Sequence, residues 1–180
     1  MNPEEKLTVK QLLAQVAEAA AATAAVLEKC AEAHWQTMVP VEERTVGVVL
    51  HHIAFAMPVV AQWAGELAGG QGAPGVSFDD VHALNAQHAA AQAQVEAAAT
   101  LALLKTNAAA VQAQLGQLAD ADLQVSAPFP LLGGQPITAQ QMVQSFLVAI
   151  GTILPETRRA QDDQSRLYFP KDFLCQSPTV

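Results

Sequence analysis

The chain of 180 residues contains few cysteines, few aromatic residues and few charged residues. Only 2 residues are cysteine, 5% are aromatic and 14% are charged. Two cysteines are too few for a disulfide scaffold. Cys30 and Cys175 also lie far apart in the sequence and lack the spacing of metal ligands, so reduced thiols in a cytoplasmic protein are expected. The 9 lysines and arginines are outnumbered by 17 acidic residues, which gives a net charge of −8. So few positive charges cannot neutralise a row of phosphates, so we expect no nucleic-acid partner.

The sequence also lacks the pattern of a secretory leader or a membrane span. Glu4 and Glu5 stand where a leader needs positive charge followed by an apolar run. The most continuous apolar stretch, residues 46–56, is interrupted by His51 and His52. We therefore expect no segment that spans a membrane, and we predict a cytoplasmic protein.

Small apolar residues dominate what is present. Alanine accounts for 36 of the 180 residues, and 51% of the chain is hydrophobic. Apolar residues recur every three or four positions, as in amphipathic helices, and no strand pattern is visible. A loop is expected at the Pro- and Gly-rich residues 126–136. The predicted helices cover residues 8–36, 45–68, 78–95, about 100–118 and 138–163, with Thr45 and Thr100 as N-caps of the second and fourth.

The helices must bury their apolar faces against one another, which predicts a bundle. The long Gly-rich connection after the second helix is followed by the short third helix, a pattern that favours one crossover connection. We therefore predict an all-α protein: a four-helix bundle with one crossover connection and an extra short helix. Residues 1–163 form a single domain in this interpretation, and the apolar tail 164–180 docks on the bundle or on a partner subunit.

Two of the five histidines are predicted to face the interior. His52 falls on the apolar stripe of the second helix and His88 on that of the third, while His51 lies at the edge and His82 nearer solvent. A single inward histidine is usually a core residue that bonds a polar group. Two from different helices indicate a shared polar pocket, because sites in bundles are built from facing side chains. The stripe assigned to the second helix is Val48, Val49, His52, Phe55, Ala56, Val59 and Trp63.

The other reactive, charged or aromatic residues considered are expected to have structural roles rather than functional ones. Cys30 lies on an apolar helix face, where a thiol is inert. Arg158 and Arg159 near the end of the last helix are expected to be solvated and to favour the helix dipole. The large rings of Trp35, Trp63, Phe55 and Phe129 are expected to fill the core.

Residues 43–54, Glu-Arg-Thr-Val-Gly-Val-Val-Leu-His-His-Ile-Ala, resemble the second-helix signature of the DinB/YfiT-like superfamily. In that family a capping Ser or Thr precedes a Val-Gly-x-Val-Leu run and a metal-binding histidine. Residues 85–89, Asn-Ala-Gln-His-Ala, are similar to a segment of one branch, and 128–129 and 133–136 fit the same branch. The resemblance covers about residues 8–163.

The resemblance implies a four-helix bundle, often a homodimer, with a divalent metal such as Ni, Zn or Fe held by three side chains. One ligand would be His52, and the other two usually come from a His-x-x-x-His or Glu-x-x-x-His pair on the last helix. Relatives include mycothiol-dependent maleylpyruvate isomerase and thiol transferases that use bacillithiol. The implied function is a metal-assisted transferase or isomerase that uses a low-molecular-weight thiol on a small electrophile.

The last helix departs from that pattern because it contains no histidine. If the spacing from the preceding loop is kept, the two ligand positions hold Ile150 and Leu154, which cannot bind a metal. A shift of two residues places them at Thr152 and Glu156. The site predicted from the sequence is therefore divergent.

Two hypotheses remain open. In the first, His52 is a metal ligand, His88 is a second ligand or the general base, and Glu156 is the carboxylate ligand. In the second, the chain is a non-catalytic bundle that has lost its metal and serves small-molecule binding or dimerisation.

Overall fold

A computed structural model describes residues 5–72 and 77–167, and only the backbone of 162–167. The helices are α1 (Val9–Lys29), α2 (Val46–Ala68), α3 (Phe78–Ala91), α4 (Ala97–Leu115) and α5 (Ala139–Leu167). The strands are β1 (Met38–Val39), β2 (Arg44–Thr45), β3 (Ser126–Pro128) and β4 (Pro136–Thr138). Short 3-10 turns cover Glu32–His34, Asp122–Gln124 and Pro130–Leu132.

The predicted all-α bundle is confirmed. Both α1 and α2 pack against α4 and α5. The side chain of Asn107 donates to the Ala54 carbonyl and that of Gln114 to the Ala61 carbonyl, so α2 and α4 run in the same direction. The chain must therefore return along the bundle between them. This return is the predicted crossover, and it contains α3.

The core is aliphatic and centres on α2. Fully buried side chains come from all four long helices, from β1 and from the connection before α5. Each large aliphatic one stabilises the fold by about 1.5–3 kcal/mol. The largest of them are Leu12, Leu50, Leu67, Leu104, Leu115 and Leu123.

Side chains cap several helix starts as expected. Thr45 precedes α2, as predicted, and its hydroxyl accepts from the Val48 amide at 3.4 Å. The prediction for α4 was wrong, because that helix begins at Ala97, after Glu96. Thr100 is instead buried inside the helix, where its hydroxyl donates to the Glu96 carbonyl. A threonine can satisfy its hydroxyl in this way as well as by capping.

Three other helix ends differ from the prediction. The first helix ends at Lys29 rather than residue 36, because Cys30 is extended and the chain then makes a 3-10 turn. The third ends at Ala91 rather than 95. The last continues to Leu167, beyond 163. Apolar periodicity continues through turns of this kind, so it does not reveal where the backbone leaves the helix.

No strand pattern is visible in the sequence, but the structure contains two pairs of very short strands. Strands β1 and β2 form an antiparallel pair, with Met38 opposite Thr45. Strands β3 and β4 form another inside the predicted loop, with Ala127 opposite Ile137. Strands of two or three residues are too short for alternation of apolar and polar residues to appear in the sequence. Both pairs tie a long interhelical connection to the bundle.

The composition of α2 bears on the expectation that no segment spans a membrane. Among the described helices, α2 alone is long and apolar enough to cross a membrane, with a mean hydropathy of 1.5 over its best window. However, 56% of that window is buried inside the bundle. The core helix of a soluble protein has the same composition, because neighbours cover most of its surface. Residues 168–180, most of the tail that was expected to dock, lie outside the described residues.

Candidate functional site

Three imidazole rings meet between α2 and α3. Nδ1 of His51 lies 2.9 Å from Nε2 of His88, so the N–H of one ring donates a hydrogen bond to the nitrogen of the other. The ring centroid of His88 lies 5.0 Å from that of His51, 5.0 Å from that of His52 and 4.8 Å from that of Phe55. We call His51, His52 and His88 the histidine cluster. The structure thus brings the two predicted histidines together and adds a third.

The buried face of α2 is rotated from the predicted stripe. Its buried residues include Leu50, Ile53 and Met57, which face the bundle core. His51, predicted at the edge, is only 9% exposed, whereas Phe55, predicted in the core, is 36% exposed. The reason is that α2 is apolar on most of its surface, so periodicity does not select one face. Of the predicted stripe, His52 and Phe55 contact His88 of α3, whereas Trp63 contacts Phe129.

Burial keeps all three imidazoles neutral near pH 7. The pKa of His52 is lowered to about 4, mainly by burial and in smaller part by repulsion of a positive ring by His88, Arg44 and His51. Burial also lowers the pKa of His51 and that of His88. For His88, repulsion by His51 and Arg44 adds to this effect. Neutral imidazoles both donate and accept hydrogen bonds, which suits the binding of a polar ligand.

Two ring nitrogens of the cluster lack partners. Nδ1 of His52 and Nδ1 of His88 are both buried without a hydrogen-bond partner. An unpartnered buried polar atom costs free energy, and native proteins usually satisfy such atoms. These two nitrogens are therefore positions where a small ligand could bond.

The last helix contributes no second set of ligands near this cluster. Ile150 and Leu154 are buried in the aliphatic core. The Thr152 hydroxyl donates to the Val148 carbonyl at 3.0 Å. Glu156 forms an ion pair with Arg159 at 2.8 Å. None of these hydrogen bonds or ion pairs joins α5 to the histidines.

The described residues do not fit the three-ligand metal site that the family resemblance implies. Across them, no group of three His, Cys, Asp or Glu side chains is placed to hold a metal ion. Two ring nitrogens on one tetrahedral zinc would lie about 3.3 Å apart, given bonds of about 2.0–2.1 Å. In the cluster, the nitrogens of His51 and His88 are 2.9 Å apart and bonded to each other. Of the expected set His52, His88 and Glu156, only the two histidines are neighbours.

The remaining sequence-predicted residues mostly have structural roles. Trp35 is buried and its indole N–H donates to the Val95 carbonyl, and Phe129 is buried against Trp63 with ring centroids 5.7 Å apart. Trp35 and Phe129 therefore fill the core, as predicted. The prediction was wrong for Phe55, which is 36% exposed. Burial raises the pKa of Cys30, consistent with an inert thiol.

The fold and the site define a class: a four-helix bundle with one crossover helix and a histidine cluster between that helix and α2. A family model of the DinB superfamily matches residues 15–148. The match spans most of the chain, so the protein belongs to the DinB superfamily. It includes the whole histidine cluster and ends before Ile150, Thr152, Leu154 and Glu156. No curated protein matches the chain, and no solved structure does.

His51 was not predicted from the sequence as a site residue. One signal was available, since two adjacent histidines on a helix project about 100° apart and can both contact a helix that lies beside them. The position of α3 against α2 was not available from the sequence, and it is this position that places His88 between the other two rings.

Proposed function

We propose that this DinB superfamily protein binds a small, neutral, polar molecule at the histidine cluster and does not use a three-ligand metal centre. The single observation that carries this proposal is the pair of unpartnered nitrogens, Nδ1 of His52 and Nδ1 of His88, in a cluster of neutral imidazoles. A ligand with both hydrogen-bond donors and acceptors would satisfy them in either tautomer of each ring. The buried aliphatic residues Ile150 and Leu154 support the absence of ligands on α5.

A second candidate is the metal-assisted, thiol-dependent transferase or isomerase that the family resemblance implies. It is favoured by one observation: His52 occupies the family's second-helix ligand position and has a free, buried Nδ1. Neutral imidazole is the form that binds metals. Ni, Zn and Fe are the metals to test for this candidate.

Metal analysis separates the two candidates. We would purify the protein without chelators, incubate it with Ni²⁺, Zn²⁺ or Fe²⁺, remove unbound ions by dialysis and measure bound metal. The binding proposal predicts well under 0.1 equivalents and a melting temperature that EDTA leaves unchanged. About one equivalent that is lost in His52→Ala and kept in His82→Ala would support the transferase or isomerase. His82 is the matched control because it is exposed on the same helix as His88.

Ligand binding needs a direct test as well. We choose benzamide as the probe, since its flat ring can contact Phe55 and its amide N–H can donate to an imidazole nitrogen. Resonances of the His52 and His88 rings should shift on titration, while the His82 ring should not. Shifts confined to His82, or shifts equal in all three rings, would contradict binding at the cluster.

The proposal includes a cellular setting and an assembly state. We place the protein in the cytoplasm, where Cys30 stays reduced, and propose that it forms a homodimer as the family resemblance implies. Sedimentation equilibrium at micromolar concentration tests the assembly directly, because a single species of monomer mass would contradict a dimer.

A further inference from the structure

Helix α3 places its most buried polar side chain against the bundle and leaves its largest apolar side chains in solvent. Within this helix only His88 is buried, at 7% exposure, and Val81, Asn85 and Ala89 are half-buried. The large apolar side chains Phe78 and Leu84 face solvent and are 59% and 46% exposed. A helix that belongs permanently to a hydrophobic core has the opposite arrangement, with apolar residues inside and polar residues outside.

The contacts that hold α3 against α2 are concentrated on one side chain. His88 bonds His51 and lies against the rings of His52 and Phe55. The rest of α3 buries little apolar surface, and elements with few buried apolar contacts are the ones that open locally at low free-energy cost. By contrast, α2 and α4 bury aliphatic side chains in the common core, among them Leu50, Leu104 and Leu115.

We propose that α3 is a movable cover over the histidine cluster and that His88 is the latch that keeps it closed. In the closed state His88 covers His52, whose Nδ1 has no partner. Movement of α3 away from α2 breaks the bond between His51 and His88 and opens a path for a small polar molecule to Nδ1 of His52. Asn85 and His88 then line the entrance and offer polar groups to the entering molecule. This role rests on the proposed function, because it describes how a ligand reaches the same cluster.

Pulsed electron–electron double resonance tests the cover directly. Spin labels are attached to cysteines at Leu84→Cys on α3 and Lys105→Cys on α4, both exposed positions, in the full chain with Cys30→Ser and Cys175→Ser. The expected result is two distances, a major closed one and a minor open one. His88→Ala should increase the open fraction at least threefold, and His88→Gln, which keeps a hydrogen-bonding group, should increase it less. His82→Ala is the matched control and should leave the distribution unchanged.

Three results would overturn the cover. One is a single narrow distance in the parent and in His88→Ala. Another is an equal shift in His82→Ala and His88→Ala. The third is a loss of helical circular dichroism in His88→Ala equivalent to α3, which would mean that the helix unfolds rather than moves. The distances are measured without benzamide or metal, so two distances with no benzamide binding would keep the cover and remove the proposed function. Benzamide binding together with a single distance would keep the proposed function and remove the cover.

Discussion

Gly47 shows how one missing side chain fixes the packing at the start of α2. A Cβ at this position would lie 2.6 Å from Cε2 and Nε1 of the Trp35 ring. The ring cannot easily move away, because Trp35 is buried and its indole N–H is bonded to the Val95 carbonyl. We predict that Gly47→Ala lowers the free energy of unfolding by about 1–3 kcal/mol, measured by urea denaturation.

Gly151 is the matched control for this substitution. It also lies inside a helix, but no atom lies within 4 Å of its added Cβ. Gly151→Ala should therefore stabilise the protein by about 0.5–1 kcal/mol, since alanine is the better helix former. Equal effects of the two substitutions would show that the Trp35 contact does not determine the result.

The histidine cluster predicts a dependence of stability on pH. The pKa of His52 is about 4 in the folded protein and about 6.5 in the unfolded chain. Below pH 6.5 the unfolded chain takes up a proton that folded His52 does not, so stability is complete above pH 6.5 and is lost as the pH falls toward 4. Protonation of the ring is opposed by His88 and His51, once these are themselves protonated, and by Arg44.

Urea denaturation at pH 7.5 and pH 5.0 measures this dependence. We predict a loss of about 1 kcal/mol from His52 between these values, after discounting for solvent around a partly exposed ring. His52→Gln should reduce the loss by that amount, whereas His82→Gln should not. A pH dependence that is the same in all three proteins would contradict the assignment to His52.

At the level of elements, Pro58 and Asn107 form a compensating pair that joins α2 to α4. Pro58 lies inside α2 and has no N–H to donate to the carbonyl of Ala54, four residues earlier. The Asn107 side chain donates to that carbonyl at 2.9 Å, and Ala54 is fully buried. A proline in the middle of the central helix is thus tolerated because α4 supplies the missing donor.

The pair can be tested by a double-mutant cycle. Asn107→Ala should cost about 1–3 kcal/mol, because it leaves a buried carbonyl unsatisfied. In Pro58→Ala the new backbone N–H can reach the Ala54 carbonyl, so Asn107→Ala should cost distinctly less in that background. Strictly additive unfolding free energies would show that the two residues do not share this carbonyl.

The existence of the five helices was predictable, but several of their ends and faces were not. Thr45 was recognised because a capping hydroxyl at the start of an apolar run is a local signal. The same signal gave a wrong prediction at Thr100, whose hydroxyl donates to the Glu96 carbonyl from inside α4. The buried face of α2 could not be read from the sequence, because apolar residues surround most of the helix and the neighbours decide which of them are covered.

At the scale of the whole molecule, Gln140 ties the N-terminal segment to the start of α5. Its Oε1 accepts from the Leu7 amide at 2.9 Å, and its Nε2 donates to the Glu5 carbonyl at 2.7 Å. The side chain is buried, and Gln124 donates to the same Oε1 at 2.8 Å. The bonds from Gln140 to Leu7 and Glu5 connect parts of the chain that are more than 130 residues apart.

We predict that Gln140→Ala destabilises the protein by about 1–3 kcal/mol and speeds proteolysis near residue 7, because it leaves buried amide and carbonyl groups unpaired. The exposed Gln117 is the control, and Gln117→Ala should change stability by less than about 0.5 kcal/mol. Thermal melting combined with mass spectrometry of a limited digest measures both effects. If cleavage near residue 7 is equally slow in both variants, the Gln140 bonds do not hold the segment.

The sequence alone determined the class of this protein, since helical periodicity, a Gly-rich break before a short helix, and the motif at residues 43–54 depend on local order along the chain. It also excluded histidine ligands on α5, because residue identity needs no coordinates. Tertiary structure decided that His51 joins His52 and His88, and that Glu156 pairs with Arg159. The physical reason is that burial and contact depend on which neighbours cover a residue, and those neighbours come from distant parts of the chain.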